Sequence, residues 1–255
     1  MEIPAQIDAL RRHGDLLAAA AERAGLDAPV PSCPAWQVKD LLRHTGYVHR
    51  WATRHIIECP DTVLDGPPEE EILRGGAADP ELLAWFRAGC ASLAETLTEA
   101  DPTLVCATFM DAPSPLAFWA RRQAHETAIH RADAEIASGV WPVYPPDFAA
   151  DGVDELIMGF SQRRKYRPSA ENGGSLQVQA TDTGHSWHVG NEGGRVRARR
   201  DASPSPEPGS VVSGPASGLY LFLWNRSDAT QANVTISGDP GFLDRWQSSV
   251  RVHWD

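Results

Sequence analysis

The sequence predicts an α+β protein: a four-helix bundle over residues 1–145 followed by a small α+β domain over residues 146–255. Two observations carry this. The N-terminal part holds four long stretches with helical apolar spacing, joined by links rich in Pro, Gly and Asp, with no strand-like run between them; such helices bury their apolar faces against one another. Beyond the linker Trp141-Pro142-Val143-Tyr144-Pro145-Pro146 the pattern changes to short runs of β-branched and aromatic residues, bounded by Gly, Asn and Asp and interspersed with helices.

The first helix runs from about Pro4 to Gly25, with Ile7, Leu10, His13, Leu17, Ala20 and Ala21 on one face and Gly25 as its stop. The second follows the turn Pro29-Val30-Pro31-Ser32-Cys33-Pro34 and ends near Pro60. Residues 60–79 read as a loop, with Gly66-Pro67-Pro68-Glu69-Glu70-Glu71 and Gly75-Gly76. The third helix opens at Asp79-Pro80, a cap followed by a first-turn proline, and carries Leu82, Leu83, Phe86, Leu93 and Leu97. Ser114-Pro115 opens the fourth in the same way, and it stops around Gly139. In the second domain a helix is expected from Phe148 to Tyr166, then strands at Ser175–Ala180, Gly184–Val189, Arg195–Ala198 and Val234–Ser237. Helices are expected at Pro215–Trp224 and Gly241–Val250, and Ser203–Pro208 reads as an exposed loop.

At 255 residues and 42% hydrophobic content the chain can bury real cores. Its formal charge of −11 argues against nucleic acid or an anionic membrane as partner, since both need a basic surface. Residues Met1 to Gln6 lack a signal pattern, and no stretch approaches the roughly 18 apolar residues of a membrane span, so the expectation is a cytoplasmic protein, monomer or homodimer. Cys33, Cys59, Cys90 and Cys106 are scattered without a Cys-x-x-Cys pair and read as reduced, mostly structural thiols.

The chemistry concentrates in the fourth helix. With Glu126 set at zero and about 100° per residue, Trp119, Asp133 and Ala137 fall within about 20° of it and His130 about 40° away. Ile129, Phe118, Ile136, Leu116 and Ala134 border this stripe, while Arg121, Arg131 and Glu135 point to the opposite face. A carboxylate and an imidazole on the apolar face are costly unless compensated, and a metal ion is one way to compensate them. In the second helix His44 lies mid-way across an apolar face with Leu41, Tyr47, Val48 and Trp51. Asp40, one turn earlier, is placed to accept from its ring or to lie just outside a metal shell. His44, Glu126 and His130 make a set suited to a divalent metal, zinc by preference, with a fourth position left for water or substrate. The bland alternatives are a hydrogen-bonded core histidine at His44 and an ordinary i,i+4 pair at Glu126 and His130. His125-Glu126 is no metalloprotease signature, because His125 and His130 are five apart. His55 shares the His44 stripe but lies roughly 16 Å further along.

The run Pro34-Ala35-Trp36 with Asp40-Leu41 and His44, and Gln123-Ala124-His125-Glu126 with His130-Arg131 and Asp133, resemble the mycothiol-dependent maleylpyruvate isomerase family, concentrated in actinobacteria. Its N-terminal domain is a DinB-like bundle. Ser213 to Arg226 and Val234-Thr235-Ile236-Ser237-Gly238-Asp239 are similar to that family's sterol-carrier-like C-terminal domain, so the resemblance spans nearly the whole chain. It implies that His44, Glu126 and His130 are ligands of a divalent metal, usually zinc, and that the low-molecular-weight thiol mycothiol is a cofactor. It implies further that the thiolate adds to the double bond of a small unsaturated or electrophilic substrate, giving a cis-trans isomerase or a thiol S-transferase. A dicarboxylate substrate needs a cation, and Arg226 is the candidate catalytic residue, with a helix-end charge as its bland reading. Arg122 and Gln123 flank the metal stripe. The competing reading is a non-catalytic, metal-containing small-ligand-binding or regulatory protein, in which Trp187, Trp224, Trp246 and Trp254 line a pocket. A water-activating hydrolase would have only Asp40 or Asp133 as general base.

Overall fold

The structure, a computed structural model, describes residues 1–163, 174–192, 195–200 and 209–252. The expected loop Ser203–Pro208, the end of the helix expected to reach Tyr166, and His253 and Trp254 lie outside the described residues. The chain divides into two compact units, one spanning Met1–Pro142 and the other Val143–His253.

The first unit is a helical bundle of α1 (Ile3–Ala24), α2 (Val38–Glu58), α4 (Leu82–Glu99) and α5 (Pro115–Ala137), with α1 packed chiefly on α5 and α2 on α4. Leu17, Leu41, Leu42, Leu82 and Phe86 are fully buried in one core cluster, each contributing about 1.5–3 kcal/mol by leaving water. Two boundaries differ from the sequence reading. The 60–79 loop contains a short helix, α3 (Glu69–Arg74). Asp79 and Pro80 form a 3₁₀ turn ahead of α4, and Asp79 pairs with Arg43 of α2 instead of capping. Ser114 does cap α5, its Oγ accepting from the Ala117 N–H at 3.1 Å. The expected solvent face of α5 is also corrected: Arg131 and Glu135 are only 8% and 5% exposed. They pair with each other at 3.0 Å, and Arg131 Nη1 lies 3.3 Å from His13 Nδ1 on α1. Packed by α1 and by α2, α5 has little surface to give to water, so its far-side charges need partners.

The second unit is a mixed five-stranded sheet of order β3-β2-β1-β4-β5, from β1 (Ser175–Ala180), β2 (Ser186–Glu192), β3 (Arg195–Arg200), β4 (Ser210–Gly214) and β5 (Thr235–Gly238). Strands β1 and β4 run parallel and the other neighbours antiparallel. The sequence reading omits β4, an interior strand between β1 and β5: five residues with Ser at two positions and Gly at the end give little alternation to read. Helix α6 (Pro146–Asp154) is shorter than expected and continues as a π turn over Glu155–Gly159 and a 3₁₀ turn over Phe160–Gln162. It packs on α7 (Ala216–Leu223), while α8 (Pro240–Ser249) lies against β1 and β4. Asp154 ties α6 to the sheet, accepting from Trp187 Nε1 at 2.9 Å and from Arg200 in a fork with both bonds at 2.6 Å. Trp187, Trp224 and Trp246 are 1%, 4% and 0% exposed, so they pack the core of this unit.

Gly218 of α7 is a close-approach point. A Cβ there would stand 2.0 Å from the Ala232 carbonyl oxygen, a backbone atom that no rotamer change can move. Gly218→Ala is therefore expected to destabilise the second unit by about 2–3 kcal/mol or more, measured by urea unfolding followed through tryptophan fluorescence; wild-type stability would contradict it. Among the described residues no helix is long and apolar enough to cross a membrane. All four cysteines are free thiols.

Candidate metal centre

The α-helical repeat puts Arg122, Glu126 and His130 one turn apart on a single face of α5, and α2 brings His44 opposite them. His44 Nε2 lies 3.4 Å from Glu126 Oε1, and His130 Nε2 lies 3.2 Å from the same oxygen. One donor atom from each of the three residues falls within 4.8 Å of the others. Zinc bonds of 2.0–2.1 Å in a tetrahedron require donor separations of roughly 3.3 Å, so these two edges fit such an ion. His44 and His130 are 4% and 7% exposed. The Glu126 side chain is 17% exposed, which leaves the cluster a path to solvent.

Two of the three donors, Glu126 and His130, are oriented by neighbours. Arg122, 3% exposed, donates from Nη2 to Glu126 Oε2 at 2.7 Å. That occupies one carboxylate oxygen and leaves Oε1 facing the imidazoles, a monodentate arrangement. His130 Nδ1–H donates to Asp133 Oδ2 at 2.9 Å, so the Nε2 lone pair is the one turned toward Glu126. Asp133 is fully buried and also accepts from the Ser32 hydroxyl. Burial opposes ionisation of Glu126, yet hydrogen bonds from His130 and His44 and the Arg122 charge hold its carboxyl well below the usual carboxylate range. Burial likewise disfavours a charged His130, but Asp133 and Glu126 outweigh it and raise its pKa to about 9 in the metal-free protein. His44 goes the other way, lowered first by burial. A metal entering this set must displace the His130 proton.

The structure corrects the role expected of Asp40. Its Oδ2 accepts from the Gln37 N–H at 2.9 Å in a capping box at the start of α2, and its Oδ1 faces Arg43 at 3.8 Å. Asp133 does for His130 what Asp40 was expected to do for His44. His55 is a structural residue: Nδ1–H donates to the Trp51 carbonyl at 2.8 Å and Nε2 accepts from the Leu64 N–H at 2.9 Å. His49 faces Thr127 Oγ1 at 2.8 Å; that hydroxyl already donates to the Gln123 carbonyl, so His49 Nε2–H is the donor. Arg226 lies in the second unit just after α7, where its Nη1 donates to the Trp224 carbonyl at 2.8 Å. Two site residues have no role in the sequence reading that matches the structure: Arg122, whose i,i+4 spacing to Glu126 is a usable signal, and Ser32, whose loop position gives none; Trp36 enters that reading only as part of the Pro34-Ala35-Trp36 run.

Asp133→Asn is expected to weaken metal binding about 10- to 100-fold while the bundle stays folded, because the amide cannot hold the His130 tautomer as the carboxylate does. Competition with a chromophoric chelator measures this; unchanged affinity would remove Asp133 from the metal's support.

A helical bundle with two imidazoles and a carboxylate on facing helices, followed by a mixed α+β unit, defines a class of two-domain proteins with a metal-type site in the N-terminal bundle. The model for the mycothiol maleylpyruvate isomerase N-terminal domain matches residues 7–135, and that for the C-terminal domain of the same family matches residues 147–245. The chain belongs to the mycothiol maleylpyruvate isomerase family. Among solved structures, a mycothiol-dependent maleylpyruvate isomerase is similar in fold at 15% identity and a TM-score of 0.67, with 93% of each chain covered. A histidine-to-alanine variant of a mycothiol-dependent maleylpyruvate isomerase is similar at 15% identity and a TM-score of 0.65, again with 93% of each chain covered. No curated protein matches the chain by sequence.

Proposed function

We propose that the chain is a metal-dependent enzyme that uses mycothiol to isomerise a small unsaturated dicarboxylic acid of the maleylpyruvate kind. The observation that carries this is the three-donor cluster of His44, Glu126 and His130, at spacings a tetrahedral zinc ion needs, in a chain of this family across both domains. A structural zinc usually takes four protein ligands, whereas a site of three leaves a position for a reactant. When bound, the metal would supply the positive charge that lets a thiol ionise near neutral pH.

The chain's own groups do the rest. Asp133 keeps the His130 Nε2 lone pair turned inward, and Arg122 keeps Glu126 ionised and presented through one oxygen. Bound mycothiol would supply a thiolate for reversible addition to the conjugated double bond, which would let that bond rotate and give the trans acid with the thiol recovered. Arg226 serves this reading as the cation for a substrate carboxylate. Arg226→Gln then raises KM for a dicarboxylate, whereas a helix-end role alone would appear only as lost stability.

The test is turnover of maleylpyruvate by the zinc-loaded protein with mycothiol, following the cis and trans acids and the thiol together. Recovery of the thiol with formation of the trans acid is expected. Stoichiometric consumption of mycothiol would mean S-transfer, and zinc binding without either reaction would favour a small-ligand-binding protein.

A further inference from the structure

The residue the mechanism leaves unused is Trp36. Its indole lies 4.9 Å from the His44 ring, tilted by 47°, and 6.2 Å from the His130 ring, tilted by 31°. The two imidazoles are themselves 5.0 Å apart and nearly perpendicular at 75°. The indole therefore packs against both imidazoles of the cluster. Its backbone is fixed: Val30 N–H donates to the Trp36 carbonyl at 3.0 Å and Trp36 N–H to the Cys33 carbonyl at 2.8 Å, next to an antiparallel bridge between Pro29 and Gln37. The same turn supplies Ser32, which holds Asp133. One loop thus supplies both the hydroxyl that holds Asp133 and the indole that packs on the two imidazoles.

Trp36 is half-buried, packed on one side against the bundle core. Among the described residues its indole N–H has no protein partner, and it is not a buried polar atom. A partly open, preorganised ring with a spare donor, beside a metal-type site, is the arrangement used to receive flat ligands.

We propose that Trp36 is a specificity-determining residue, a rigid wall that selects planar, conjugated carboxylates over flexible saturated ones at the position beside His44 and His130. This rests on the metal-site part of the proposed function and deepens it. The loop-packing alternative makes a different prediction, because a ring that only fills space would affect folding or metal retention and leave ligand preference alone.

The experiment compares wild type, Trp36→Phe and Trp36→Leu, each loaded with Co²⁺, in binding maleate and its saturated counterpart succinate, read from the visible cobalt spectrum. Wild type is expected to prefer maleate, Trp36→Phe to keep that preference, and Trp36→Leu to lose about three- to tenfold of it, the worth of one aromatic contact. Metal stoichiometry stays the same in all three. With maleylpyruvate and mycothiol, KM rises by a similar factor in Trp36→Leu while kcat holds. An unchanged maleate-to-succinate ratio in Trp36→Leu overturns the assignment, as does loss of metal from both variants. If the wild type discriminates as expected yet never isomerises maleylpyruvate, the isomerase reading fails and the wall assignment stands.

Discussion

His44→Ala is expected to abolish stoichiometric metal binding and to lower turnover at least about a thousandfold, the scale of removing the ion from a site that depends on it. The physical reason is the count of donors. His44 is the only one supplied by α2, and without it α5 offers a carboxylate and one imidazole, too few to hold an ion against water. The metal-free variant should stay folded, because the change also removes a buried imidazole that burial already disfavours as a cation. Arg122 and His130 remain to neutralise Glu126. Two measurements check this: metal content of the purified protein, and the rise in Tm on adding Zn²⁺, which mass action ties to binding. Wild type should show both and His44→Ala neither. A variant that keeps one zinc per chain would remove His44 from the metal site.

Acid is expected to unfold the bundle well above pH 3. Burial lowers His13 to about 3, with further lowering from Arg131, and burial lowers His49 to about 3 as well. Both are neutral in the folded protein, whereas the unfolded chain binds their protons near pH 6.5. The stability these two groups contribute is thus complete above about pH 6.5 and is lost as pH falls from there toward 3, where the unfolded chain holds two protons that the folded chain refuses. Both histidines act in the same direction, so each adds to the loss of stability in acid. His49→Gln should move the acid midpoint to lower pH, since an amide can donate to Thr127 without titrating. Far-ultraviolet circular dichroism against pH reads this directly. An acid midpoint identical in His49→Gln and wild type would show that His49 does not drive the transition. His130 acts in the opposite sense in the metal-free protein: its stabilisation is full below pH 6.5 and is lost as pH rises through about 9.

The amino-acid sequence by itself determined the elements that rest on local physics. Ser114 capping α5, the long apolar periods of α1, α2, α4 and α5, and the common face of Glu126 and His130 follow from chain geometry within a few turns. It also determined that His44 sits on a buried face, and the resemblance it carries was to the right family. The tertiary structure decided which partner each polar group finds. Asp40 and Asp133 look equivalent in the sequence, each one turn from a candidate ligand. The capping box at Gln37 took the first, and the loop bearing Ser32 delivered the second to His130. It decided too that Arg131 and Glu135 are buried, because α5 is packed by α1 as well as α2, and it placed β4 inside the sheet, paired on both edges by β1 and β5. Periodicity reports which face of an element avoids water; only the packed fold supplies the distances at which a donor, a carboxylate and an indole meet.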